Sequence, residues 1–128
     1  RQLCSVRDKY TMNDAATKEL KGRGDLDRVG SVLEQENIIK KGEGWPAVSL
    51  ARPSASPECV DGYAHRIGIH EIMTLSSALK EMVMKGETAA KLEVEAKKEG
   101  MMTMLEDGVY KAARGITSIE EVFRVVSE

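Results

Sequence analysis

The stretch Ser56-Pro57-Glu58-Cys59-Val60-Asp61-Gly62-Tyr63-Ala64-His65-Arg66-Ile67-Gly68-Ile69-His70-Glu71-Ile72-Met73 decides how this chain is read. Its first half is rich in turn formers and carries one cysteine, Cys59. Its second half alternates. Ile67 and Ile69 fall on one face, Gly68 and His70 on the other, which is the period of a strand. The residues before it are irregular or weakly helical, and those after it form a run of capped helices.

Downstream, Ser76 or Ser77 opens a helix with Leu79, Met82 and Val83 on one face, closed by Gly86. Thr88 opens the next, with Ala89, Leu92 and Ala96 inward, closed by Gly100. Thr103 starts a third, in which Met101, Met104, Leu105, Val109 and Ala112 keep helical spacing, closed by Gly115. Thr117 and Glu120 have the spacing of a capping box. Ile119, Val122, Phe123 and Val126 then make an apolar stripe at i, i+3, i+4 and i+7. Isolated helices this short are marginal in water, so the four are expected to pack on one another.

Upstream, Arg1 to Tyr10 shows no period. Asn13 or Asp14 caps a short helix through Leu20, ended by Gly22 and Gly24. Asp25 opens a second helix whose apolar stripe is Leu26, Val29 and Leu33, and Ile38 and Ile39 close it onto the core. Ala47 to Arg52 reads as a short strand, and Pro53 and Pro57 bracket a stiff connection. Two readings stand for Arg66 to Met73: an antiparallel partner of that strand, or an extended loop with no partner.

The 128 residues make one domain in size, with a net charge of −2 and few aromatics. The charge argues against a dedicated nucleic-acid binder. No apolar run approaches the roughly 20 residues that span a bilayer, and no signal peptide is visible. Two cysteines without an export signal suggest a reducing compartment, where a structural disulfide is not the default. Because the chain begins with Arg1, it is expected to be a piece of something longer.

Three blocks of the chain resemble the motor ATPases of type II secretion and type IV pilus assembly. Gly62, Tyr63, Arg66, Gly68, Ile69 and Glu71 match that family's Gly-Tyr-x-Gly-Arg-x-Gly-Ile-x-Glu, which follows a zinc knuckle. His65 stands where the family has glycine, so a different turn is expected there. Ala96, Gly100-Met101 and Met104-Leu105-Glu106-Asp107-Gly108 resemble a second family segment. Gly115-Ile-Thr-Ser-Ile-Glu-Glu-Val-Phe-Arg-Val125 resembles a third. The opening part matches at Arg1-Gln-Leu-Cys4 and loosely at Tyr10.

The resemblance implies a hexameric, cytoplasmic ATP hydrolase using ATP and magnesium, docked on an inner-membrane platform protein, with neighbouring subunits of the homo-hexamer as partners. In such enzymes two Cys-x-x-Cys pairs often supply the four zinc ligands. Here the pairs fall on Cys4 with Arg7, and on Ser56 with Cys59, so half of the ligands are absent. Two thiolates cannot close a tetrahedral structural site. Cys4 and Cys59 are therefore read as remnant ligands, with no zinc and no other metal expected. The knuckle is expected to survive as a metal-free turn held by packing and hydrogen bonds. The two thiols are expected to face each other and to be able to oxidise to a disulfide.

No catalytic or cofactor-binding residue is assigned. Glu71 is expected either core-facing, paired with Arg52 or Arg66, or solvated at a strand end. His65 and His70 lack a second titratable group that would make either a general base. The cluster Met101, Met102, Met104 reads as adaptable core. Lys91, Lys97 and Lys98 with Glu93, Glu95 and Glu99 form a mixed-charge solvated face. No Gly-x-x-x-x-Gly-Lys-[Ser/Thr] loop is present, so this segment has no site for the β- and γ-phosphates.

The expected fold is α+β and mostly helical. Residues 1–74 would form the edge of an ATPase core, with a degenerate knuckle and a short antiparallel hairpin. Residues 75–128 would form a helical subdomain, a bundle of four short helices. The alternative function is a free-standing helical adaptor without ATPase activity. A third, a helix-turn-helix nucleic-acid binder, is disfavoured by the charge.

Overall fold

The computed structural model describes residues 1–127. Among them the elements run β1 (Gln2–Leu3), β2 (Arg7–Tyr10), α1 (Asp14–Lys21), α2 (Leu26–Gln35), a 3-10 turn (Trp45–Ala47), β3 (Leu50–Pro53), β4 (Tyr63–Ala64), α3 (Ser77–Met84), α4 (Ala89–Lys98), α5 (Met104–Ala113) and α6 (Ile119–Val126). The fold is α+β and mostly helical, as the spacing of caps and apolar stripes implies.

The strands pair differently from the sequence expectation. β1 lies antiparallel to β4, with Leu3 opposite Tyr63, and β2 lies antiparallel to β3, with Tyr10 opposite Leu50. The opening ten residues thus supply a strand to each sheet. Their lack of period has a plain cause: Arg7, Asp8 and Lys9 are all exposed, so no alternation marks β2. The buried side of this pair is Leu50 and Ala51 on β3. That strand starts later than expected because Trp45-Pro46-Ala47 close a 3-10 turn entered through Gly44 at φ 66°.

Arg66 to Met73 is not a strand in this structure, which corrects the hairpin with 47–52. β2 already occupies β3. The segment instead runs without helix, turn or bend from Arg66 to Ser76, the extended loop of the second reading.

Helix starts follow local chemistry closely. Asn13, Asp25, Ser76, Thr88 and Thr103 each accept a backbone N–H from the first turn they cap. At α6 the cap sits one residue later than the capping-box spacing suggested. Ser118 accepts from the Glu121 amide, whereas Thr117 donates its hydroxyl to the Arg1 carbonyl at 2.7 Å. A reciprocal capping box does form, at α5, between Thr103 and Glu106.

The core gathers Leu20, Leu26, Val29, Leu33, Trp45, Val48 and Leu50 from the first half with Val109, Ala112, Ile119 and Val122 from the second. Burying each of the leucine, isoleucine and valine side chains among them is worth roughly 1.5–3 kcal/mol. Trp45 fixes the 3-10 turn to α2 by donating its indole N–H to the Leu26 carbonyl at 3.0 Å. α5 packs on α2, on β3 and on α6. The α5–α6 approach needs Gly108, because a Cβ there would sit 2.6 Å from Val122 Cγ1.

α3 and α4 pack on each other, and each carries a buried residue, Leu79 and Ala96. Val83 and Ala89, expected to face inward, are exposed, and so are Met84 and Val94. Val126 is likewise exposed at the end of the α6 stripe. The four C-terminal helices therefore pair two by two, α3 with α4 and α5 with α6.

Candidate functional site

The knuckle is closed by a disulfide as well as by backbone hydrogen bonds. Cys4 and Cys59 form a disulfide with their Cα atoms 6.7 Å apart. This corrects the expectation that packing and hydrogen bonds alone would hold the turn. The pairing of β1 with β4 brings the two cysteines together, reinforced by the Cys4 amide donating to the Gly62 carbonyl at 3.0 Å. Ser56 and Cys59 exchange backbone hydrogen bonds, each at 3.0 Å, so the second pair keeps its turn although one thiol is missing.

Arg7 leaves the knuckle altogether. Its guanidinium donates to the carbonyl of Gly115, the left-handed residue just past the C-cap of α5. Of the four positions that correspond to zinc ligands, Cys4, Ser56 and Cys59 stay together and Arg7 does not. Among the described residues no group of three His, Cys, Asp or Glu side chains is placed to hold a metal. Two oxidised sulfurs and a diverging cation do not fit a structural zinc.

The backbone of the turn nevertheless holds two left-handed residues. Gly62 has φ 72°, and a Cβ there would lie 2.6 Å from Pro53 Cβ and 2.8 Å from the Ser54 nitrogen. Only glycine fits. His65 has φ 60°. The residue that replaces the family's glycine is therefore forced into a conformation that a side chain adopts at a cost of about 1 kcal/mol. Its side chain is exposed and performs no other visible task.

The extended segment after His65 is fastened to α5 by residues of the second block. The Asp107 carboxylate accepts from the His70 amide at 2.8 Å and from Lys111 Nζ at 2.5 Å. Lys111 also donates to the Gly68 carbonyl at 2.8 Å. Glu71 turns neither to Arg52 nor to Arg66. It is exposed and accepts from the Met104 amide at 3.0 Å, at the positive end of α5. Arg52 instead stacks 4.1 Å over the Tyr10 ring and pairs with Glu120 at 3.4 Å. His70 contributes its backbone, and among the described residues no hydrogen bond or ion pair joins either imidazole to another titratable group.

A second junction ties α2 to the α4–α5 connection. Glu106 is buried, and both of its oxygens accept from Arg28 Nη1, at 3.2 and 3.0 Å. Arg28 Nη2 donates to the Lys97 carbonyl at 3.0 Å and to the Met101 carbonyl. The methionine cluster lies around this joint, with Met102 packed on the core and Met104 exposed.

A third junction lies on α6. Arg1 donates Nε to Glu121 Oε1 and Nη2 to Oε2, both at 3.1 Å, and Arg124 Nε reaches Oε2 at 3.0 Å. The α-amino group of Arg1 lies 2.8 Å from Oε1. The Arg124 hydrogen bonds hold the Glu121 carboxyl far below the usual carboxylate range, with Arg1 adding to the effect against an opposing contribution from burial. Arg1 also covers the Tyr63 ring at 4.3 Å, and Tyr63 Oη shares a 2.7 Å hydrogen bond with Ser118 Oγ.

These groups cross-link elements. Among the described residues none of these groups pairs a nucleophile with a base. The charged face of α4 is solvated as expected: Glu93 pairs with Lys97 at 2.5 Å, and the first cause of the raised Lys97 pKa is that hydrogen bond.

The residues of the three blocks thus meet one another in space. A family model described as "Type II/IV secretion system protein" matches residues 1–124. Among similar proteins, the type II secretion system protein E of Xanthomonas campestris is 41% identical over 81 residues, covering 63% of this chain and 14% of that protein. The type IV pilus assembly ATPase PilB of Pseudomonas aeruginosa is 34% identical over 91 residues, covering 67% and 16%. The type II secretion system ATPase E of Vibrio cholerae is 35% identical over 98 residues, covering 74% and 19%. The chain thus spans less than a fifth of the length of these relatives. A match over nearly its whole length, together with motif residues that bind one another, places the chain in the family of type II/IV secretion system proteins.

Proposed function

We propose that the chain is the C-terminal part of a hexameric motor ATPase of type II secretion or type IV pilus assembly. In this reading it supplies mechanical linkage and packing between subunits, while ATP and magnesium are held by other parts of the polypeptide. The partners are neighbouring subunits and, through the whole assembly, a platform protein at the inner membrane. No zinc takes part.

The observation that supports this reading most is the use made of the motif residues. Glu71, Asp107, Glu106 and Glu121 all bind other elements of the chain rather than pointing into a shared cleft. Carboxylates spent on cross-links suit a block that moves as a body. The sequence also contains no phosphate-binding loop.

ATP hydrolysis separates the readings. The 128-residue chain is expected to show none, while the whole polypeptide encoded with it hydrolyses ATP as a hexamer. Glu106→Gln or Asp107→Asn in that polypeptide is expected to lower turnover with little effect on nucleotide affinity. A whole polypeptide without ATPase activity, or a 128-residue chain with it, removes the proposal.

A further inference from the structure

We infer that the Cys4–Cys59 disulfide is a thiol-exchange site: a small thiol enters the groove that both cysteines line, attacks Cys4 Sγ, and releases the knuckle while the core stays folded. The site needs no other part of the polypeptide and is independent of the motor reading.

The disulfide is within reach of a small molecule. Cys4 and Cys59 line a groove of about 320 Å³ together with Ser56, Glu58 and His65. Glu58 and His65 are exposed, so its walls stand in water. The two sulfurs are not equally accessible. Cys4 is half-buried, whereas Cys59 is 8% exposed. An incoming thiolate therefore meets Cys4 first, and Cys59 is the leaving group.

The exchange balances with two equivalents of thiol. The first thiolate bonds to Cys4 Sγ as the bond between the cysteines breaks, and Cys59 leaves as a thiolate that takes a proton from solvent. A second thiolate attacks the sulfur that the first one added. Cys4 is freed as a thiol, and the small disulfide departs. The two protein sulfurs are reduced and the two small thiols are oxidised. A small disulfide runs the same steps backwards and closes the pair.

Opening is cheap because little else fixes the knuckle. Among the described residues, every hydrogen bond of residues 54–60 stays within 56–62. The nearest outside tie is the Arg1–Asp61 ion pair at 3.2 Å, exposed on both sides, and such pairs contribute little. Neither cysteine belongs to the core cluster that contains Val29, Leu33 and Trp45. The loss of order is thus confined to the knuckle, as in local unfolding of a satellite loop. Closing is also favoured. The Cys4 amide holds the Gly62 carbonyl at 3.0 Å, and Cys59 lies three residues before that anchor. The freed thiols therefore stay at high effective concentration.

Limited proteolysis in glutathione buffers tests this on the 128-residue chain. Glu58 is exposed, so a glutamate-specific protease reads the knuckle at the Glu58–Cys59 bond. Millimolar reduced glutathione is expected to open the disulfide and to raise cleavage there by about tenfold or more, while the amides of Val29 and Leu33 keep their slow hydrogen exchange. Oxidised glutathione is expected to restore resistance. Iodoacetamide added during the reaction is expected to trap a species with glutathione on Cys4 and the alkyl group on Cys59. The Cys4→Ser, Cys59→Ser double variant is expected to be cleaved at the fast rate in either buffer, with Val29 and Leu33 still protected. A disulfide that survives millimolar glutathione overturns the inference. So does equal cleavage before and after opening, glutathione on Cys59 in the trapped species, or a double variant as resistant as the oxidised parent. Loss of protection at Val29 and Leu33 on opening overturns it as well, because the core would then have opened with the knuckle.

Discussion

Arg28 and Glu106 stand 78 residues apart in sequence and meet as an ion pair, with Nη1 3.0 Å from Oε2, at the joint between α2 and α5. Glu106 is 2% exposed, so its charge has little water to turn to. The same carboxylate also accepts the Thr103 amide at 2.9 Å, which makes the ion pair part of a helix cap. Removing the cation leaves a buried carboxylate without its main partner, a loss of about 3–5 kcal/mol. Arg28→Met is expected to shift the urea midpoint accordingly. Arg28→Met with Glu106→Gln is expected to recover part of the loss. A single variant within about 0.5 kcal/mol of the parent would show that the pair contributes nothing.

Reduction should weaken the chain. The disulfide closes a loop with a sequence separation of 55 residues. Constraining the unfolded chain in this way stabilises by about 2–4 kcal/mol, or roughly 10 °C in Tm for a chain of this size. Calorimetry with and without dithiothreitol measures it. A chelator is expected to leave Tm unchanged, and a chelator-induced drop would restore a metal to the knuckle.

Acid should act through Glu121. Its folded pKa is depressed, first by Arg124 and then by Arg1. The stability it supplies is therefore complete above the ordinary glutamate pKa of about 4.3 and is lost progressively as pH falls below that toward the folded value. Glu121→Gln is expected to cost about 2–3 kcal/mol at pH 7 and less at pH 3, flattening the acid limb of a stability–pH curve. Parallel curves for the two proteins would show that this carboxylate does not govern the acid limb.

Two glycines with the same backbone hand should respond differently to alanine. Gly62 and Gly86 have φ 72° and 71°. Around Gly86 a Cβ meets nothing within 4 Å, whereas at Gly62 it would meet backbone at 2.8 Å. Gly86→Ala is expected to cost about 1 kcal/mol, the left-handed penalty alone. Gly62→Ala is expected to cost at least about twice that and to slow formation of the Cys4–Cys59 disulfide on refolding. Urea titrations of the two variants, with thiol counts after refolding, provide the comparison.

Helix starts and ends were legible because a cap is local chemistry. Asn13, Asp25, Ser76, Thr88 and Thr103 announce themselves within four residues of what they bind. Strand pairing was not, because β2 is a solvent-facing edge with no alternation, and its partner lies about forty residues away. The segment 66–73 carries a strand pattern, but β2 already occupies β3, so the pattern read correctly as extended and wrongly as paired with 47–52. The Thr117–Glu120 spacing misled by one residue because Arg1 takes the Thr117 hydroxyl. Asp107 and Glu121 stood out as members of the family-like blocks, but nothing in the sequence named their partners, and Arg28 and Lys111 read as ordinary surface charge. Only Thr103 and Glu106, three residues apart, carried a readable mark of their part in one.

The single tryptophan sits at the centre of one half of this arrangement. Trp45 is 4% exposed and its indole is bound to α2, while the α3–α4 pair packs mainly on itself. Ultraviolet emission from the indole therefore watches α2 and its surroundings and is blind to the helical hairpin. A chain whose hairpin has opened would still glow as native, and a loss of far-ultraviolet ellipticity ahead of any change in emission would reveal two cooperative units in what fluorescence alone counts as one.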